Sequence, residues 1–222
     1  MGTKKNRKRR IIDIILTVIG AVLCGTGCGF MNYGALGMDA IGSFYDGIRI
    51  ALDLSIDTIG TVSIGISIVL IIFLLIVRRK YVNIGTVIYL VVYGISANLS
   101  TMCLEKLITS DLVYIKAVVS ILGIVILTYG VGIYIAVDIG VDPFTGVTLY
   151  LSEVTHKKLE YIKIGTDIIF MAIGILLGAR IGAVSVISVL SEGPLIAFFT
   201  KRVQLWYFKL FFKKKNGSGT NK

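Results

Sequence analysis

The chain has 222 residues, of which 55% are apolar, 16% are charged and two are proline, with a mean hydropathy of +0.87. Soluble domains carry about 25% charged residues and interrupt their apolar runs sooner, so a water-soluble domain is excluded. The 23 Lys and Arg residues outnumber 13 Asp and Glu, but they flank apolar stretches and no nucleic-acid-reading motif accompanies them, so the +10 charge speaks of membrane orientation and no nucleic-acid partner is expected.

The first ten residues hold Lys4, Lys5, Arg7, Lys8, Arg9 and Arg10, a basic N-terminus expected on the cytoplasmic side. A basic start before an apolar run suggests a signal peptide. Here the run continues through Phe30 and Met31 with no small-x-small cleavage site, and Ala21 stands where a lipoprotein box has Leu, so Ile11 to Tyr33 reads as an uncleaved first span. Further spans are predicted over Ile59 to Val77, Ile84 to Leu104, Leu112 to Val137, Tyr161 to Ala179 and Ile181 to Thr200, each near the ~20 residues that cross a hydrocarbon core. Two segments, Gly37 to Leu54 and Gly140 to Leu151, are too polar or too short to cross and read as re-entrant or interfacial helices. The expected fold is therefore all-α: about six transmembrane helices and two short ones, in a first half of residues 11–108 and a second of residues 109–202. Residues 203–222 follow as an amphipathic tail, where Leu205, Trp206 and Phe208 alternate with Lys209 and then Lys213 to Lys215. It is expected on the cytoplasmic face against anionic lipid. With six spans, nineteen Lys and Arg fall inside and four outside, with both termini cytoplasmic.

The halves repeat. At an offset of 103 residues Gly27-Cys28-Gly29 answers Gly130-Val131-Gly132, and Gly37-Met38-Asp39 answers Gly140-Val141-Asp142; with gaps, Ile59-Gly60-Thr61 answers Ile164-Gly165-Thr166 and Ile84-Gly85 answers Ile181-Gly182. Each half reads as span, non-spanning segment, span, span. Three crossings are odd, so the second half enters from the opposite side, an inverted-topology repeat. Transporters built this way hold substrate at the repeat interface beside interrupted helices.

Candidate site residues follow from that plan. Asp142 before Pro143, with Thr145 next along, is the start of a capped helix whose free N–H groups and positive dipole end suit an anionic group; Asp39 starts the first-half equivalent with Ala40 in place of the proline. Asp167 and Glu192 are ionisable residues inside spans, where insertion costs about 2.5–3.5 kcal/mol for Asp and function is the default reading. Pro194 is expected to kink or break the helix beside Glu192. Asn98 lies at comparable depth in the first half. The structural alternatives are packing glycines, a Lys163 partner for Asp167, buried structural thiols at Cys24, Cys28 and Cys103, and a solvated His156. Tyr33, Tyr81, Tyr114, Tyr161, Trp206 and Tyr207 read as interfacial anchors. No metal cluster, nucleophile elbow, phosphate loop or dinucleotide fingerprint occurs, so no enzyme activity, metal or cofactor is expected.

Gly140-Val141-Asp142-Pro143-Phe144-Thr145, its echo at Gly37-Met38-Asp39 and the later Gly193-Pro194-Leu195-Ile196 resemble the YczE-like group of small bacterial integral membrane proteins over nearly the whole chain. The resemblance implies a polytopic bacterial inner-membrane protein with two related halves, and brings no catalytic or substrate residues with it. The expected function is a small-solute transporter with Asp39, Asn98, Asp142, Pro143, Thr145, Asp167 and Glu192 around its site. Two alternatives stand beside it: the substrate-binding subunit of a multi-component uptake system, docking through Ala21, Gly25 and Gly29, and a scaffold or regulator of other membrane proteins. A homo-oligomer and a partner subunit both remain open.

Overall fold

The computed structural model describes residues 2–109, 112–137 and 142–212. Eight α-helices make up most of these: α1 (Gly2–Gly34), α2 (Ala40–Ala51), α3 (Ile59–Val77), α4 (Ile84–Leu107), α5 (Val113–Val137), α6 (Pro143–Thr155), α7 (Leu159–Leu176) and α8 (Ala183–Phe212). The order long, short, medium, long occurs twice. Among the described residues there is no strand.

Among the described residues, five helices are long and apolar enough to cross a membrane: Arg9–Gly34, Ile56–Val77, Ile84–Leu107, Val113–Val137 and Ala183–Lys209. The expected sixth, α7, has 18 residues and includes Glu160, Lys163 and Asp167, too many charges to pass on composition alone. Four other expectations are revised. Helix α1 continues back through the basic N-terminal residues. Pro194 does not break α8: losing one N–H and crowding one carbonyl leaves the rest of the ladder to carry the helix on, past Thr200 as well. Of the thiols, Cys24 and Cys28 are buried but Cys103 is exposed. Tyr114, Tyr161 and Trp206 face outward as anchors should, whereas Tyr33 donates to Ile108 O at 2.8 Å and Tyr207 donates to Asp13 Oδ1 at 2.5 Å, so both are packed inside.

The centre of the molecule is the crossing of α1 and α5. A Cβ on Gly27 would lie 2.5 Å from Gly123 O and one on Gly130 would lie 2.7 Å from Gly20 O, so the backbones touch at two points and the helices run antiparallel. The numbering is reciprocal: Gly20 and Gly123, and Gly27 and Gly130, are each 103 apart. Between them Cys24 Sγ donates to Leu127 O, 3.7 Å away and also 103 residues on. Helix α4 lies along α1 in the same direction, with Gly25 against Tyr93 and Gly29 against Ala97 and Ser100. Helix α8 runs the other way, from Val184, whose N–H meets Leu36 O at the end of α1, to Tyr207 beside Asp13 near its start. Gly132 on α5 packs against Phe199 and Thr200 of α8. Two further pairings cross between halves: α2 packs along α7 through Gly47 and Gly174, and α6 packs on α3, with the rings of Phe73 and Tyr150 5.9 Å apart; within the first half α3 packs on α4.

Because the α1–α5 contact has no room for a Cβ, Gly27→Ala is expected to lower stability by about 1–3 kcal/mol. Gly65, in α3, faces open space, with nothing within 4 Å of where a Cβ would stand, and serves as control: Gly65→Ala is expected to raise stability by up to ~1 kcal/mol. Thermal unfolding of the two variants in detergent checks both signs.

Candidate functional site

After α1 ends, the chain turns back into the bundle. Gly37 takes φ +104°, a left-handed conformation open to glycine, and it lies so close to Gly182 and Ser185 that a side chain would not fit. The extended return stops at Asp39, whose Oδ1 accepts the Gly42 N–H at 3.2 Å and caps α2. Asp142 does the same for α6, accepting the Thr145 N–H at 3.0 Å with Pro143 in the first turn. Both caps match the residues read from sequence. Gly140 and Val141, two of the three residues of the repeated Gly140-Val141-Asp142, lie outside the described residues.

These two helix starts meet. Asp39, Ile41 and Tyr45 from α2 and Asp142, Phe144 and Thr145 from α6 line one cavity of about 120 Å³. Its remaining walls come from the middles of long helices: Tyr89 and Tyr93 of α4, Leu127 and Val131 of α5, and Glu192 and Ile196 of α8, with Lys163 of α7. From there α2 runs towards the face where α1 ends, and α6 towards the face where α1 begins. A second cavity of about 380 Å³ adjoins the first, sharing Lys163, Glu192 and Ile196 and extending between α7 and α8 past Asp167.

Of the residues singled out in the sequence, Asp39, Asp142, Thr145 and Glu192 therefore converge on the smaller cavity, and Asp167 joins Glu192 in the larger. Pro143 is buried behind the Asp142 cap. Asn98 lies elsewhere: its Oδ1 accepts the Gly60 N–H at 2.6 Å and its Nδ2 donates to Thr61 Oγ1 at 2.7 Å, tying the start of α3 to α4. Lys163 pairs with Asp167 one turn along α7, at 2.5 Å. Glu192 Oε1 is shut off from solvent and accepts no hydrogen bond. The aromatic wall was not anticipated. Tyr89 and Tyr93 stack at 5.2 Å, Tyr45 stands 6.4 Å from Tyr93 and 5.6 Å from Phe144, and Phe144 meets Phe170 at 4.8 Å. The signal for it was the spacing of Tyr89 and Tyr93, four apart and away from the span ends.

Each short helix is tied down a second time, beyond its cap, by an ion cluster. On α2, buried Asp46 accepts from Arg49 Nη2 at 2.7 Å and from Arg180 Nη2 and Nε at 3.0 and 3.1 Å; Arg180 also donates to Asn32 Oδ1 at 3.0 Å. On α6, Glu153 accepts from Tyr81 at 2.6 Å and pairs with Lys80 at 2.8 Å and Arg78 at 3.4 Å. In both, an acid on a short helix holds the basic connection that follows the helix it packs against. The Lys80 and Tyr81 hydrogen bonds bring the Glu153 carboxyl down to about 2.

The bundle and its internal polar cavity define a helical integral membrane protein. A family model described as "Family of unknown function (DUF6198)" matches residues 11–201, and the chain belongs to that family. It is 26% identical over 144 residues to "Uncharacterized membrane protein YczE" of Bacillus subtilis (strain 168), an alignment that covers 64% of this chain and 64% of that relative's length. No solved structure matches.

Asp46→Ala leaves two guanidinium groups without their shared acceptor and is expected to cost about 3–5 kcal/mol in thermal unfolding. The Glu153 cluster responds to pH. Because its folded carboxyl lies below the usual ~4.3 of a free Glu, its stabilisation is present above that value and is lost as pH falls through about 2. Glu153→Gln is expected to flatten the change in unfolding temperature between pH 5 and pH 2.

Proposed function

We propose that this chain is a small-solute transporter of the bacterial cytoplasmic membrane, an inverted repeat of two three-span halves with its substrate site in the cavity between them. The observation that carries this reading is that α2 and α6 begin at one cavity, at mid-height of α4, α5 and α8, and run to opposite faces. Interrupted helices whose N-termini meet at a midplane site are the form that such repeats take in secondary transporters. Irregular backbone at that depth is tolerated only where protein or a cavity surrounds it.

The repeat has further support. The reciprocal contacts of Gly20 with Gly130 and Gly27 with Gly123 are what a two-fold axis through Cys24 and Leu127 produces, each half offering the same patch to the other. The sixth span would be α7, which starts beside the end of α6 and finishes near Arg180, Asp46 and Asn32 on the other face. Lys163 and Asp167 then line the cavities instead of meeting lipid. Orientation rests on the basic residues, with Arg78 to Lys80 and Lys157 and Lys158 on the cytoplasmic side. Exposed Leu205, Trp206 and Phe208 beside Lys209 suit an anionic lipid surface at the end of α8, although Tyr207 and Val203 turn inward against the bundle. Lys213 to Lys215 lie outside the described residues.

The rival of a docking subunit loses its docking surface, because Ala21 is buried and Gly25 and Gly29 are pressed against α4. A scaffold without transport has no use for an internal cavity with polar walls, and the adjoining 380 Å³ adds room for a solute.

Single cysteines at Leu52, after α2, and at Lys157, after α6, in a cysteine-free background are expected to react with an impermeant reagent from opposite sides of the membrane. Labelling from one side would overturn the inverted repeat. In proteoliposomes screened against a solute panel, Glu192→Gln and Asp142→Ala are expected to cut flux at least tenfold; wild-type flux in both would remove these residues from the site.

A further inference from the structure

We infer that the site takes an organic cation with an apolar body, an amphiphilic amine, its ammonium held at Glu192 in the smaller cavity and its apolar part lying in the gap between α7 and α8. The inference rests on the reading of this cavity as the substrate site and names the chemistry of what fills it.

The charges decide the sign of the ligand. Among the described residues, Asp39, Asp142, Asp167 and Glu192 line the two cavities against the single cation Lys163. Helix N-termini attract anions, but both here are already occupied by their own caps, Asp39 on Gly42 N–H and Asp142 on Thr145 N–H. Lys163 is likewise committed, to Asp167. What is left over is an acceptor: Glu192 Oε1, buried, without a hydrogen bond, and at the junction of the two cavities. A buried carboxylate without a partner is costly, so the group that completes this site brings a positive charge or a proton.

The walls decide what kind of cation. Tyr45, Tyr89, Tyr93 and Phe144 present rings to the smaller cavity, the lining that attracts ammonium groups through cation–π interaction. Among the described residues, no three acidic, His or Cys side chains are grouped as a metal ion requires. The larger cavity is lined mainly by Ile164, Ile168, Met171, Val189 and Ile196, a surface for an apolar group.

A difference between the halves supplies the route. In the first half α3 and α4 are sealed, Gly60 against Gly94 with no space for a Cβ and Asn98 bridging the two helices. In the second half α7 and α8 stand apart with the cavity between them. Gly165, which answers Gly60, and Gly193 both face open space, with nothing within 4 Å of where a Cβ would stand. Ile164, Ile168 and Val189 along this seam are more than half exposed, so the larger cavity opens on the side of the bundle, where a membrane protein meets lipid. An amphiphile already dissolved in the bilayer reaches Glu192 by that seam.

The test uses the full chain in lipid nanodiscs at pH 7, with hexylamine as probe, hexanol and hexanoate as neutral and anionic partners of the same tail, and methylamine as the head alone. Hexylamine is expected to stabilise against thermal unfolding with saturation, hexanol and hexanoate not. Glu192→Gln is expected to weaken hexylamine binding about tenfold or more while unfolding no earlier than wild type without ligand. Gly165→Leu, filling the open seam, is expected to weaken hexylamine and leave methylamine unchanged. The inference is overturned if hexanol or hexanoate stabilises as well as hexylamine, if no amine saturates, or if Glu192→Gln binds hexylamine like wild type. Saturable amine binding without amine flux in proteoliposomes would uphold the ligand class and sink the transport reading. Flux of another solute without amine binding would do the reverse.

Discussion

Everything in this molecule is hung on the backbone contact between α1 and α5. Inside a bilayer, apolar side chains gain little by leaving lipid for one another, so helix association depends on close packing and on the few polar contacts that packing permits. Gly20, Gly27, Gly123 and Gly130 remove the side chains at the crossing and let the two backbones touch. Once that pair is set, α4 lies along α1 and α8 along α5, and the space left between these four long helices is where the short ones begin. Leu127, on the crossing itself, is also part of the cavity wall, so the packing that joins the halves also shapes the site.

Placing helix starts at that depth carries a chemical obligation. The first N–H groups of a helix have no partner within it, and no water in a hydrocarbon core replaces one. Asp39 and Asp142 meet the need at α2 and α6, and Leu36 O receives the Val184 N–H at the start of α8. The acids therefore gather at the centre because the interrupted backbone requires them there. Their charge, once gathered, gives that place the polar character on which the proposed site rests. Further along the two helices, Asp46 in the second half of α2 and Glu153 near the end of α6 make ion pairs, so each short helix is held by a carboxylate at its start and by another beyond it.

The two halves share an order of elements and yet differ in closure. Asn98 and the Gly60–Gly94 contact seal α3 to α4, whereas on the other side Asp167 is turned to Lys163 on its own helix and leaves α8 without a comparable bridge. A packed interface has a small number of arrangements instead of a continuum. On the proposed transport reading, a sealed seam and an open one on corresponding elements are the two arrangements that a carrier with a central site would alternate between.

The sequence by itself determined where the helices fall. Apolar run length marked out the five long apolar helices, the Asp142-Pro143 pair and Asp39 announced the capped starts of α6 and α2, and charges inside apolar stretches pointed to Asp167 and Glu192. All of these are local properties, set by residues within a few positions of one another. Only the tertiary structure decided which helix meets which: that α2 packs on α7 and α6 on α3, that Asn98 seals a helix pair instead of lining the cavity, that Tyr45, Tyr89, Tyr93 and Phe144 form one wall, and that α8 runs unbroken through Pro194. Those partners lie tens to more than a hundred residues apart. In a chain where nearly every span is apolar all round, hydropathy has no face to offer that would tell one neighbour from another, so shape at the glycine contacts makes the choice.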